Sequence, residues 1–361
     1  MKLQYKLMNG ADAIKHAFIS LSKKRKDIII ISEGVSDPSA FYGTTKDLNK
    51  YFSKDKIIEM PLSESALTGI SIGAAMNGYR PILNYHRVEF ALLAMEQLIN
   101  NAAKSYYISN GKHKIPFVLR LVVGRGWGQG PAHSQSLENF FSSIPGLKVI
   151  MPTFPNDTKE LLVGAIEDNN PVVIIEHRWC HYINERVKLS YSKSSLESGP
   201  KKILSGKDYT VVATSYNVLE SIEASKILKK IGINIEIFDL RILRPLKLEK
   251  IIASVLKTGR ILTVDTGFKI LGMGSEISSE VTEKCFNALK TPPRRMGFPD
   301  HPTPSSRGYL KNIYPNFYKI CKTICEDLKV EKKLWNLVKK EINKRETKII
   351  DVPNEIFKGP F

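Results

Sequence analysis

Residues 124–136 read GRGWGQGPAHSQS, with glycines at 124, 126, 128 and 130 and a histidine, His133, three residues after the last. Two phosphate-cradling motifs fail here on spacing. A Walker loop needs GxxxxGK[ST] opening a helix, and this stretch has neither the lysine nor the hydroxyl residue. A dinucleotide fingerprint needs GxGxxG running into a helix, whereas here Pro131 follows the last glycine. What remains is a permissive loop that presents a histidine, a side chain able to give or take a proton near neutral pH. A loop histidine without a role reads the same way. Glu64, in PLSESALTG, stands where a strand pattern gives way to a helix pattern. A carboxyl group there can serve proton chemistry, or it can complement the helix dipole behind a Ser63 cap. A third group, NYHRVEF at 84–90, brings His86, Arg87, Glu89 and Phe90 together directly after an apolar run. Charges clustered beside an aromatic at a strand end suggest a pocket wall, and an exposed loop fits the same pattern.

The elements that must position these groups alternate along the chain. Ala13, Ile14, Ala17, Phe18 and Leu21 recur at helical spacing, and DIIIISEG reads as a buried strand ending in a turn. Strands are expected at IIEMP, RPILNY, IPFVLRLVVG, LKVIMP and PVVIIEH. Helices are expected at ALTGISIGAAMNG, VEFALLAMEQLINNAAKSYY and NDTKELLVGAIEDN. Strands that are continuous apolar runs, alternating with helices, predict an open, mostly parallel sheet covered on both faces. VKLSYSKSSLESGPKKILSGKD is polar and rich in Ser, Lys and Gly, as a linker or exposed excursion would be. From 209 a second alternating set begins with YTVVATS and ends in a helix near 314–328. The fold class is therefore α/β with two open, mostly parallel sheet domains. Residues 1–185 form the first and 209–328 the second, with a linker or excursion at 186–208 and a basic extension at 329–361.

The 361 residues carry 54 Lys+Arg against 36 Asp+Glu, a formal charge of +18. The basic residues are scattered, dense only in SKKRK and VKKEINKRETK, with neither zinc-finger spacing nor basic–aromatic interleaving. Nucleic-acid binding is not expected. Cys321 and Cys325 share a helix face if that stretch is helical, and they read as small apolar residues rather than as a metal or redox pair. Residues 1–20 lack a continuous apolar block and the longest apolar run is IIII, so the cytoplasm is the expected location and no membrane is involved.

Taken together, PLSESALTGISIGAAMNGYRPI, LLAMEQLINNAAKSYY, the glycine loop with HSQ, and PGLKVIMPTFPNDTKELLVGAIEDNNPVVIIEH resemble the β subunit of thiamine-diphosphate-dependent 2-oxo acid dehydrogenases. VVATSYNVLESIEAS, IFDLRILRPL and VDTGF resemble the C-terminal, transketolase-type domain of that family, so the likeness runs over roughly residues 8–328. It implies a pyrimidine-binding domain followed by the transketolase C-terminal-type domain.

The resemblance also implies roles. Glu64 matches the glutamate that hydrogen-bonds the cofactor's aminopyrimidine ring, where a carboxyl group stabilises the imino tautomer. Phe90 matches the aromatic that packs on that ring, His133 the active-site histidine, and Glu33 an acid near the cofactor. Ala165, Ile166, Asp168 and Asn170 match a structural monovalent-cation (K+) site built largely from backbone carbonyls; Asp168 and Asn170 otherwise read as a helix stop. The family holds the diphosphate and Mg2+ through a GDG motif, which this chain lacks. A partner α subunit is then expected to hold them, in an α2β2 assembly. The implied reaction is decarboxylation of a 2-oxo acid, with acyl transfer to a lipoyl acyltransferase. The alternatives are half of a split transketolase- or carboligase-like enzyme, and a non-catalytic scaffolding relative. The basic pair His86 and Arg87 suggests a larger or more polar acid substrate than pyruvate, a sugar-like anion being one such acid.

Overall fold

The computed structural model describes residues 4–37, 39–125, 128–310 and 313–345. Seven strands form the first sheet, in the order Ile242–Arg244, Lys148–Ile150, Val172–His177, Val118–Val123, Arg80–Tyr85, Ile28–Ser32, Ile57–Glu59. All its pairings are parallel except that of Ile242–Arg244. The strands are parallel because helices cover both faces, and a strand covered on both faces must be apolar throughout. The four isoleucines at 28–31 are all buried, each contributing about 1.5–3 kcal/mol of burial free energy.

The second sheet has five strands in the order Arg294–Phe298, Ile261–Phe268, Tyr209–Ala213, Ile235–Asp239, Lys201–Leu204, the last antiparallel. One apolar cluster runs through both halves, from Leu83, Leu121 and Met151 to Val212, Phe238 and Ile277. The strand Ile242–Arg244 leaves the second half and pairs with Lys148–Ile150 of the first sheet. Pattern reading passed over it because three residues are too few to show a period. Asn184–Lys188 pairs with Tyr5–Asn9.

The stretch expected as a linker is more ordered than its composition implies. It ends in the edge strand Lys201–Leu204 and buries Leu196. The buried Lys159 ties it down by donating from Nζ to the carbonyl oxygens of Lys188 and, at 2.8 Å, Ser190. The helix expected over 88–107 is helical but not uniform: a 3-10 turn at Phe90–Ala94, a π segment at Gln97–Ala102, then α-helix at Ala103–Ile108. Cys321 and Cys325 lie buried in the helix Phe317–Asp327, within the core of the second half. Of the basic extension, Lys332–Asn343 is a helix that buries Val338 and Ile342 against that core, while 346–361 lie outside the described residues. Among the described residues, no helix is long and apolar enough to cross a membrane.

Candidate active site

The carboxyl ends of neighbouring strands in the first sheet gather the groups singled out in the sequence, which is where an open α/β sheet binds its ligands. Glu33 follows Ile28–Ser32, and His86 and Arg87 follow Arg80–Tyr85. Glu64 opens the helix Glu64–Met76 one short turn after Ile57–Glu59.

Glu64 is held through its backbone. The Tyr85 hydroxyl donates to the Glu64 carbonyl at 2.5 Å and is itself 2.7 Å from the Thr68 hydroxyl. Ser63 occupies the N-cap position, but its side chain makes no capping hydrogen bond, so the expected cap is absent. Glu64 is buried and so is Glu33, whose Oε1 has no hydrogen-bond partner among the described residues. Burial, with the charges of Glu64 and Glu59 adding to it, pushes the Glu33 carboxyl up to about 7. Glu59 orders this corner by accepting the amides of Gly34 and Ser36, both at 2.7 Å. Glu59 was not among the residues singled out from the sequence; its signal was an acid closing an apolar strand.

His133 meets Phe90 edge to face, with ring centroids 5.5 Å apart. Residues 87–89 then hold the histidine's own turn. Arg87 Nη1 donates to the His133 carbonyl at 2.6 Å, and Glu89 Oε1 accepts the Gln135 amide at 2.7 Å. Arg87 and Glu89 are both buried, so NYHRVEF is a wall and not an exposed loop. The glycines before His133 serve its backbone. Gly128 and Gly130 have φ of +72° and +64°, and a Cβ on Gly130 would fall 2.3 Å from Ser305 Oγ of the second half. Gly126, also in this loop, lies outside the described residues. Glu138 ties the same loop to the second sheet, accepting from the Ser136 hydroxyl at 2.6 Å and from the Gly267 amide at 2.7 Å. Behind the loop is a narrow cleft between the two halves, lined by Arg125, Ser134, His177 and Thr303 among others.

His86 stays at this edge of the sheet: a Cβ on Gly34 would fall 3.2 Å from its Cε1. Its ring lies 4.3 Å from Phe41 and stacks on Tyr42 at 5.1 Å, and burial pushes its imidazole down to about 4. It is neutral at physiological pH, and its buried Nε2 has no hydrogen-bond partner among the described residues.

Ala165, Ile166, Asp168 and Asn170 come together at the end of the helix Pro155–Glu167, far along the sheet from His133. Arg80 Nη1 donates to the carbonyls of Ile166 at 2.8 Å and Asp168 at 2.7 Å, and the Ala165 carbonyl accepts the Asp168 amide at 3.2 Å. Although burial opposes it, hydrogen bonds from Lys148 and Asn170 hold the Asp168 carboxyl below its ordinary range. One cationic nitrogen of Arg80 thus sits between two of these carbonyls, in the place of a cation that would bridge them. Among the described residues there is no group of three or more His, Cys, Asp and Glu placed to hold a metal ion.

Two family models match, described as transketolase, pyrimidine binding domain, over residues 6–180, and transketolase, C-terminal domain, over 200–318. The chain is 34% identical to the mitochondrial pyruvate dehydrogenase E1 component subunit beta of Saccharomyces cerevisiae over 332 residues, 90% of each chain. It belongs to the β-subunit family of thiamine-diphosphate-dependent 2-oxo acid dehydrogenases. Another β-subunit relative, from Rhizobium meliloti, is 33% identical over 88% of this chain and 70% of its own length. The human mitochondrial β subunit is 34% identical over 88% of this chain and 90% of its own. A solved structure titled as a split gene transketolase, an inactive beta4 tetramer, superposes with a TM-score of 0.72 at 20% identity, covering 90% of this chain and 99% of its own. That likeness establishes the fold, whereas the identity over nearly full length favours the dehydrogenase β subunit over the split carbon–carbon-forming alternative.

Proposed function

We propose that this chain supplies the aminopyrimidine half of a thiamine diphosphate site, for decarboxylation of a 2-oxo acid and transfer of the resulting acyl group. The observation that carries the reading is the arrangement around His133. Its ring stands against Phe90, and its backbone is held by Arg87 and its loop by Glu89, both from the same short segment. Such holding gives a proton-transfer group one geometry, which is where general acid–base catalysis gains its rate.

The residues present fit the cofactor's pyrimidine end. Glu64 and Glu33 offer carboxyl groups, one of them with an unpartnered buried oxygen, and Phe90 offers a flat apolar face. When bound, the cofactor supplies a carbon nucleophile and an electron sink. Glu64 would hold the ring's exocyclic nitrogen, Glu33 would stand as a hydrogen-bonding carboxyl group beside it, and His133 would hold or move a proton at the substrate oxygen. The diphosphate and Mg2+ belong to a partner α subunit in this reading, because the chain has no GDG motif. The assembly would be α2β2, with a lipoyl acyltransferase as acceptor. The carbonyls of Ala165, Ile166, Asp168 and Asn170 would take a K+ ion in competition with Arg80, which now bridges two of them. We take residues 1–185 and 209–328 as the two domains, and the cytoplasm as the expected compartment, which fractionation of cells tests.

Calorimetric titration of thiamine diphosphate with Mg2+ tests the site, on the chain alone and on the chain purified with its α subunit. Binding in the pair that disappears with Glu64→Ala is the expected result. A folded pair that binds nothing, or binds equally well with Glu64→Ala, defeats the reading.

A further inference from the structure

The crevice is polarised. Glu33, Glu59 and Glu64 stand at one end, around the strands Ile28–Ser32 and Ile57–Glu59. At the other end two guanidinium groups converge. Arg87 follows Arg80–Tyr85, and Arg178 follows Val172–His177, with the single strand Val118–Val123 between them in the sheet. Their charges act on each other, and both lie at Tyr42: Arg178 Cζ is 4.8 Å from its ring centroid, and the Tyr42 hydroxyl bonds the side chain of Arg87.

Arg178 is the unusual member. It is 5% exposed. Tyr42 and Tyr182 cover it, the latter with its ring 4.6 Å away and its hydroxyl accepting from Nη2 at 2.8 Å. Among the described residues its buried Nε has no hydrogen-bond partner and no carboxylate lies within ion-pair distance. Two other buried arginines follow the opposite rule. Arg120 is bidentate on Glu176, at 2.6 and 2.9 Å, and Arg241 pairs with Asp157. A buried guanidinium that lacks an anion costs several kcal/mol, and a second cation beside it raises that cost. Such an arrangement is retained where an anion arrives from outside.

We infer that Arg178, with Arg87 beside it, recognises a second anionic group on the substrate, a phosphate or a distal carboxylate. This rests on the proposed function for the placement of the reacting end near Glu64 and His133. Adjacent strands lie about 4.8 Å apart, so the strand carrying Arg178 is roughly 14 Å from the one carrying Glu33. A ligand that engages both ends is longer than pyruvate, whose single carboxylate is attached to the reacting carbon. The planar fork of arginine suits either oxyanion.

Equilibrium binding to the full-length chain tests this at constant ionic strength, with inorganic phosphate, 2-oxoglutarate and pyruvate as probes. The expected result is that phosphate or 2-oxoglutarate binds at least tenfold more tightly than pyruvate, and that Arg178→Gln abolishes that margin. Phosphate ahead of 2-oxoglutarate assigns a phosphorylated substrate, and the reverse order a dicarboxylic one. Equal binding of all three probes, or an unchanged margin in Arg178→Gln, overturns the inference. If Arg178→Gln misfolds by circular dichroism, Arg178→Lys decides: it keeps the charge but loses the fork, so the margin must shrink, and an undiminished margin is again fatal. Thiamine diphosphate titration of the α-paired Arg178→Gln protein separates this from the cofactor reading. Cofactor binding is expected to persist there, and its absence from the wild-type pair would count against the cofactor site alone.

Discussion

The guanidinium of Arg87 donates to the main-chain oxygen of His133 at 2.6 Å, across 46 residues of sequence. One loop thereby fixes the backbone of another at the point where the histidine ring leaves it. Glu89, two residues on, repeats the arrangement at the Gln135 amide. The His133 ring owes its orientation to this pair as much as to its contact with Phe90.

Arg87→Ala should therefore lower kcat by about 10- to 100-fold, the scale of misplacing a proton-transfer group by an ångström. Steady-state kinetics of the assembled enzyme on several 2-oxo acids check this. A fall in kcat of similar size for every acid is the signature of positioning. A loss confined to KM for the more anionic acids would mean that Arg87 acts only on the substrate.

Glu33 makes stability depend on pH. Its folded pKa, about 7, lies above the ordinary 4.5, so the fold favours the protonated acid. That contribution is complete below about pH 4.5 and is lost as the pH rises through 7. Urea unfolding of wild type and Glu33→Gln between pH 4.5 and 8 should show wild type losing stability relative to the variant as the pH rises. Parallel curves would show that Glu33 titrates normally.

Glu176 should behave in the opposite sense. Although burial opposes ionisation, the Arg120 charge and hydrogen bonds from His181 and Arg120 hold its carboxyl down to about 2. Its contribution is present above the ordinary 4.5 and disappears as the pH falls toward 2. Removing the charge with Glu176→Gln leaves Arg120 buried and uncompensated, at a cost of about 3–5 kcal/mol. A drop of less than about 1 kcal/mol in denaturant unfolding would show that Asn84 and Thr44, which also accept from Arg120, suffice.

Arg80→Ala removes donors from the carbonyls of Ile166 and Asp168 and from Asn169 Oδ1, about 1 kcal/mol each. The proposed K+ would then be the principal brace of that helix end. Thermal unfolding in KCl against tetramethylammonium chloride should show a larger K+ effect in Arg80→Ala than in wild type. No K+ effect in either protein would remove the cation site.

Much of this was legible beforehand because it is periodic. Continuous apolar strands alternating with helices specify covered parallel sheets, and a parallel sheet brings the residues after each strand to one edge. That is why PLSES and NYHRVEF drew attention by position, although only the family resemblance joined them with ISEG in one site. RWCHY, which follows the strand Val172–His177, carries the same mark of charge beside aromatic that drew attention to NYHRVEF, and Arg178 could have been found by it.

The rest was not periodic. Three residues of strand at Ile242–Arg244 cross to the other sheet, and neither composition nor spacing reports which edge is open to receive them. Nor does the sequence say that His86 turns into Phe41 and Tyr42 while its neighbour Arg87 reaches His133, since adjacent side chains on an irregular backbone have no fixed phase. The residue types and strand order thus determined the fold and the chemistry on offer. Hydrogen-bond partners, and the absence of a carboxylate at Arg178 among the described residues, were decided only in three dimensions. They depend on directions and distances between segments far apart in the chain, and a linear pattern carries neither.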